Sequence, residues 1–140
     1  MTIVYTATVD SLGDGRSGTA RSDDGRLEVT LTAPQQPGGT NPEQLFAAGY
    51  SACFHSALRL SAREAGITVP GSTVHATVHL IRDDNGYRLA ADLVAVLPGI
   101  RADVATMLVG QAHQRCPYSR AVTGNIEVTV RATDQQLTAG

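Results

Sequence analysis

The chain has 140 residues, is 42% hydrophobic, and carries a formal net charge of −2 and two cysteines. That is enough for one domain with a real core and marginal for two, so residues 1–140 are read as a single domain. Charges are scattered, Trp is absent and aromatics make up 4%. This excludes a basic nucleic-acid surface and a stacking platform for single strands, and no apolar run approaches the roughly 18 residues of a membrane span.

The first residues, Met1 to Val9, alternate like a strand. They lack the basic start and continuous apolar run of a signal peptide, so the protein is expected in the cytoplasm, without membrane association. There a structural disulfide is disfavoured, and a paired thiol reads as catalytic, redox-sensing or metal-binding. Ile3 to Val9 forms the first predicted strand. Gly13-Asp14-Gly15 turns the chain into a second, Arg16 to Arg21. Asp23-Asp24-Gly25 is a hairpin signal leading to Arg26 to Leu31. Pro34 to Gly39 is a loop.

Asn41-Pro42-Glu43 opens a helix, with a capping residue, a proline suited to the first helical position and an acid suited to the first turn. It is predicted from Pro42 to about Ala65, where Gly66 stops it. Its middle, Leu45 to Phe54, is apolar nearly all round, which predicts burial on most sides. Its small residues also permit close packing against another helix. Val74 to Arg82 alternates, with Val74, Ala76, Val78 and Leu80 on one face and His75, Thr77 and His79 on the other. Asp83 to Gly86 is a hairpin turn, and Tyr87 to Leu97 the returning strand. Arg101 to Arg115 reads as a second helix with Val104, Met107, Leu108 and Ala112 inward, ended by Pro117. Val122 to Ala132 is the last strand. The predicted order is β-β-β-α-β-β-α-β, an α+β fold.

The two cysteines sit in different settings. Cys53 is mid-helix among apolar residues, where a lone Cys is more often a small hydrophobe than a reactive group. Cys116 lies at a helix end between Arg115 and Pro117-Tyr118-Ser119-Arg120, a setting open to an exposed, reactive thiol. Nothing in the spacing says that the two meet. There is no C-x-x-C, and the cysteines and histidines have no zinc spacing, so no metal is expected. His75 and His79, four residues apart on a strand, are separated by roughly 13 Å, too far to share an ion. His55 and His113 are either supports for a nearby thiol or ordinary half-buried helix histidines. Gly13 to Gly18 lacks the Lys and Ser/Thr of a phosphate loop.

Three segments together carry a resemblance. Gly39-Thr40-Asn41-Pro42-Glu43-Gln44-Leu45-Phe46-Ala47-Ala48-Gly49-Tyr50-Ser51-Ala52-Cys53-Phe54 resembles the signature of organic hydroperoxide resistance (Ohr) proteins, a branch of the OsmC superfamily. Cys116-Pro117-Tyr118-Ser119, followed by Gly124-Asn125-Ile126, resembles that branch's second cysteine motif. Gly15-Arg16-Ser17-Gly18 resembles its early arginine motif. The similarity spans essentially the whole chain. The loop Pro34 to Gly39 departs from it, being shorter than the Gly-rich loop of many relatives. Arg16 is therefore identified by its own motif and not by spacing to Glu43.

The resemblance implies an intertwined homodimer with two sheets wrapped around central helices, and a Cys-based peroxidase acting on organic hydroperoxides. Cys53 aligns with the peroxidatic cysteine and Cys116 with the resolving one. Arg16 and Glu43 align with the pair that organises the site. It implies no bound cofactor; the reductant is an external dithiol, the dihydrolipoyl group of a lipoylated protein. Leu45, Phe46, Phe54, Met107 and Leu108 are candidate apolar walls for the substrate. Glu43 and Cys53 lie ten residues apart on the predicted helix, about 15 Å of rise. Either that helix starts later, or Glu43 serves Cys53 of the partner subunit. Two alternatives stay open: a peroxidase preferring hydrogen peroxide, as in OsmC-like relatives, and a non-catalytic redox sensor or binding module.

Overall fold

The computed structural model describes residues 1–137, in two compact units that meet in sequence between Leu45 and Phe46. The first unit holds an antiparallel sheet of β1 (Val9–Leu12), β2 (Thr19–Ser22) and β3 (Glu28–Thr30), in that spatial order. A 3₁₀ turn at Gly15–Ser17 joins β1 to β2. The Asp23-Asp24-Gly25 hairpin joins β2 to β3, closed by the Ser22 hydroxyl donating to Asp24 at 2.7 Å. Here the first strand departs from expectation. Ile3, Val4 and Tyr5 lie outside any strand and are 83%, 92% and 74% exposed. An alternating segment becomes a strand only when a neighbour takes its backbone groups. Just before β1, the Asp23 N–H donates to the Thr8 carbonyl at 3.1 Å.

Helix α1 runs Pro42–Glu64. Asn41 caps it, its Oδ1 accepting the Gln44 N–H at 2.8 Å. The far end closes as a Schellman motif: Gly66 takes φ +70°, and the Ile67 N–H reaches back to the Ala62 carbonyl at 2.8 Å. Asn41→Ala is expected to lower stability by about 1 kcal/mol, with Asn41→Asp restoring most of it. Urea unfolding midpoints measure this, and an unchanged midpoint contradicts the cap.

The second unit holds a sheet of order β4-β5-β6. Strands β4 (Thr73–Asp83) and β5 (Gly86–Val96) form an antiparallel hairpin around Asp84-Asn85. β6 (Glu127–Thr133) lies parallel to β5, pairing from Ala90↔Glu127 to Val96↔Thr133. A parallel neighbour demands a long crossover. Here it is α2 (Ala102–Arg115) followed by α3 (Pro117–Val122). The core joins Tyr50, Phe54, Ala57, Leu58 and Ala62 of α1 to Ala105, Leu108, Val109 and Ala112 of α2 and to Ala91, Leu93 and Ala95 of β5. Each large apolar side chain enclosed this way contributes about 1.5–3 kcal/mol.

Three corrections follow. The inward stripe of α2 is 105, 108, 109, 112, so Met107 is 43% exposed and not in the core. Pro117 ends α2 as expected but also opens α3 as its first residue; Val122 closes that helix, and β6 begins only at Glu127. A proline that lacks an N–H breaks one helix and suits the first turn of the next. Finally, α1 is not covered all round, because Ala48, Ala52 and Ser56, one turn apart, are exposed. No helix among the described residues is long and apolar enough to cross a membrane.

Candidate functional site

Within the second unit, α1 carries Cys53 and the α2–α3 junction carries Cys116. Cys116 is extended (φ −61°, ψ 123°) because Pro117 forbids helical backbone before it. Its N–H still donates to the Ala112 carbonyl at 2.8 Å, so the junction is one tight step. Both cysteines are free thiols. Cys53 packs against the core cluster that contains Cys116, and the Cys116 thiol and the Tyr118 backbone N–H both lie close enough to act on the Cys53 thiol. Distant in sequence, the two thiols form one pair. Cys53 is half-buried, whereas Cys116 is 0% exposed. The polar neighbours of Cys116 therefore mislead, because Arg115 turns outward and Ser119 is itself buried. Arg115 is held by Glu64 through two hydrogen bonds, of 2.7 and 3.0 Å.

Burial is the main force on the Cys53 thiol and pushes its pKa up; the neighbouring Cys116 pushes the same way. The Tyr118 N–H favours the thiolate and only partly offsets them. A reactive thiolate here requires a cation besides these groups.

An aromatic cluster lies beside the pair. The Phe46 and Tyr118 ring centroids are 6.0 Å apart, and those of Tyr50 and Tyr118 are 5.6 Å apart. Gly49 makes room for it, because a Cβ there would stand 2.9 Å from Tyr118 Cζ and collide with its hydroxyl. Below, Tyr50 Oη and Ser119 Oγ are 2.7 Å apart, and His113 Nδ1 lies 2.8 Å from the same Ser119 oxygen. Sequence reasoning missed Gly49, Tyr50, Tyr118 and Ser119. The available signal was spacing, since Tyr50, His113 and Ser119 each lie three residues from a cysteine. Of the candidate walls, Phe46 is half-buried and Met107 open, while Phe54 and Leu108 are fully enclosed in the core and face no open surface.

Within the first unit, Arg16 and Glu43 form a bidentate pair. Nη2 donates to Oε1 at 2.7 Å and Nη1 to Oε2 at 3.1 Å. The Arg16 hydrogen bond holds Glu43 below the usual carboxylate range, and Glu43 in turn secures the guanidinium charge. Arg16 sits on the 3₁₀ turn and Glu43 in the first turn of α1, next to half-buried Leu45.

The other candidates resolve as ordinary polar contacts. His55 bonds Ser72 at 2.9 Å, and His79 pairs with Asp92 at 2.8 Å. Among the described residues, no group of three or more His, Cys, Asp and Glu is placed to hold a metal ion.

Residues 23–131 match the family described as OsmC-like protein. The chain is 44% identical over 139 residues to the organic hydroperoxide resistance protein OhrA of Bacillus subtilis, covering 94% of this chain and 97% of that one. It is 40% identical over 134 residues to the organic hydroperoxide resistance protein of Xanthomonas axonopodis pv. citri, covering 91% and 94%. The crystal structure of the Bacillus subtilis organic hydroperoxide resistance protein OhrB superposes with a TM-score of 0.87 at 39% identity, covering 94% of this chain and all of that one.

Proposed function

Since this chain belongs to the OsmC family, with relatives 40–44% identical named organic hydroperoxide resistance proteins, we propose that it acts in organic hydroperoxide resistance as a cysteine-based peroxidase. The observation that carries the reading is that Cys53, half-buried on α1, packs against the core cluster that holds Cys116. The Cys53 thiolate attacks the outer oxygen of ROOH. The O–O bond breaks, the alkoxide takes a proton and leaves as alcohol, and Cys53 becomes a sulfenic acid. Cys116 then attacks the Cys53 sulfur; the S–S bond forms and hydroxide leaves with the thiol proton as water. A dithiol reduces the disulfide by exchange. We assign that role to the dihydrolipoyl group of a lipoylated protein, acting in the cytoplasm.

Arg16, held by Glu43, is the cation the Cys53 environment lacks, stabilising the thiolate and the charge on the leaving oxygen. The unit is a homodimer, which the exposed small-residue face of α1 suits. Because α1 already begins at Pro42, a late helix start does not reconcile Glu43 with Cys53, and the pair is assigned to Cys53 of the partner subunit. Phe46, Tyr118, Leu45 and Met107 offer apolar surface to an alkyl or fatty-acid group.

The test compares kcat/KM for tert-butyl hydroperoxide and for hydrogen peroxide, with dihydrolipoamide as reductant. A clear preference for the organic peroxide is expected. Preference for hydrogen peroxide moves the substrate assignment. No turnover with either, while both thiols label normally, makes the pair a sensor.

A further inference from the structure

The Ser119 side chain makes a buried junction that the peroxidase cycle above does not use. Ser119 and Tyr50 are both 0% exposed. The Ser119 hydroxyl bonds the Tyr50 hydroxyl of α1 at 2.7 Å and the His113 ring nitrogen of α2 at 2.8 Å. A hydroxyl has one proton to give and can also accept, so it satisfies both partners only by donating to one and accepting from the other. Tyr50 lies one helical turn before Cys53. His113 lies one turn before Cys116, and Ser119 one turn after it. One oxygen therefore ties together the three turns that carry the two thiols.

Cys116 needs such a tie. It sits between two helices, and the second has only six residues, too short to be stable on its own. Its side chain makes no capping bond to that helix. What fixes α3 against α1 and α2 is what fixes Cys116 opposite Cys53. A disulfide forms only within a narrow range of Cα separation and dihedral angle, whereas peroxide capture needs Cys53 alone to meet a mobile small molecule. The two steps of the cycle should therefore depend unequally on this junction.

Resting on the reading that Cys53 is the oxidised residue, we propose that the buried Tyr50–Ser119–His113 hydrogen-bond chain positions Cys116 for the disulfide-forming step, and so governs resolution of oxidised Cys53 rather than peroxide capture. The competition is simple. Cys53–SOH either condenses with the Cys116 thiol, releasing water, or takes an oxygen from a second hydroperoxide, releasing alcohol and leaving the sulfinic acid. Loosening the junction slows only the first branch.

The experiment oxidises the full chain with excess tert-butyl hydroperoxide and measures disulfide and Cys53 sulfinic acid by mass spectrometry. It is run on wild type, Tyr50→Phe, Ser119→Ala, His113→Ala and His113→Asn, with Leu58→Ala as a destabilised control. Tyr50→Phe and Ser119→Ala are expected to raise the sulfinic-to-disulfide ratio about tenfold, the scale of a small misplacement of reacting groups. The rate of consuming the first equivalent stays at the wild-type value. His113→Asn, which keeps a polar group near the Nδ1 position, restores the ratio relative to His113→Ala.

If Ser119→Ala fails to fold, Tyr50→Phe, which loses a single oxygen, decides. An unchanged ratio in folded Tyr50→Phe overturns the inference. So does an equal rise in Leu58→Ala, which would make the effect general loosening. Wild type that forms no disulfide overturns the peroxidase reading, and this inference with it.

Discussion

Cys53→Ser is expected to lower hydroperoxide consumption by on the order of 10³-fold or more, as loss of a nucleophile does elsewhere. A serine hydroxyl is barely ionised at neutral pH and cannot carry the oxygen away as a sulfenic acid does. Cys116→Ser should behave differently. It consumes a first equivalent at the wild-type rate, because Cys53 is intact, but it fails to recycle with dihydrolipoamide and accumulates Cys53 sulfinic acid. The contrast separates attack from resolution. It is read from peroxide remaining in solution and from the mass of the protein after one turnover. Cys53→Ser turning over at the wild-type rate would remove this cysteine from the mechanism. Cys116→Ser buries a hydroxyl in the core, at about 1–3 kcal/mol if it finds no partner, so each variant is compared with wild type below its own melting transition.

The second large effect belongs to Arg16. Arg16→Ala is expected to cost about 10²–10³-fold in kcat/KM for an organic hydroperoxide, the range for removing a charged group aimed at developing negative charge. It should also shift the pH profile of Cys53 alkylation. The sign follows from which form is charged. A guanidinium beside the thiol favours thiolate and lowers its pKa, while burial and the Cys116 thiol raise it. Without Arg16 the raising influences outweigh the Tyr118 N–H, which alone favours the thiolate, so alkylation at neutral pH slows and its midpoint moves up. Glu43→Gln should shift the same profile less, because it loosens the arginine without removing its charge. Mixing Arg16→Ala with Cys53→Ser tests the origin of the pair. If Arg16 serves Cys53 of the partner subunit, each mixed dimer regains one complete site and activity returns. If each chain serves itself, the mixture stays inactive.

Much of this was legible in the sequence because local chemistry set it. Asn41-Pro42-Glu43 and Gly66 mark the ends of α1 to within a residue, since caps and left-handed stops are decided by a few neighbouring atoms. The β4–β5 hairpin followed from alternation around Asp83 to Gly86. What failed depended on partners distant in sequence. Ile3 to Ala7 has the pattern of a strand but no strand neighbour among the described residues, and pairing begins only at Val9. Met107 was placed inward from the apolar pattern of residues 101–115, while the phase of α2 is set by Ala105, Leu108, Val109 and Ala112 in the core shared with α1 and β5. Cys116 looked exposed because its neighbours are polar, yet Arg115 turns to Glu64 and the thiol turns inward. Ser119 offered only its three-residue spacing from Cys116, because its importance lies in two bonds to residues on other helices.

In the cycle proposed above, the unequal burial of the two cysteines would set a direction for the return half. In an oxidised pair built on this frame, Cys53 would be the half-buried partner and Cys116 the fully buried one. An incoming thiolate must approach along the S–S axis, so it strikes Cys53 and expels Cys116 into the core. The transient adduct then sits on the same atom that met the peroxide. On the proposed cycle, oxidant and reductant would share one approach, to Cys53, and would have to use it in turn.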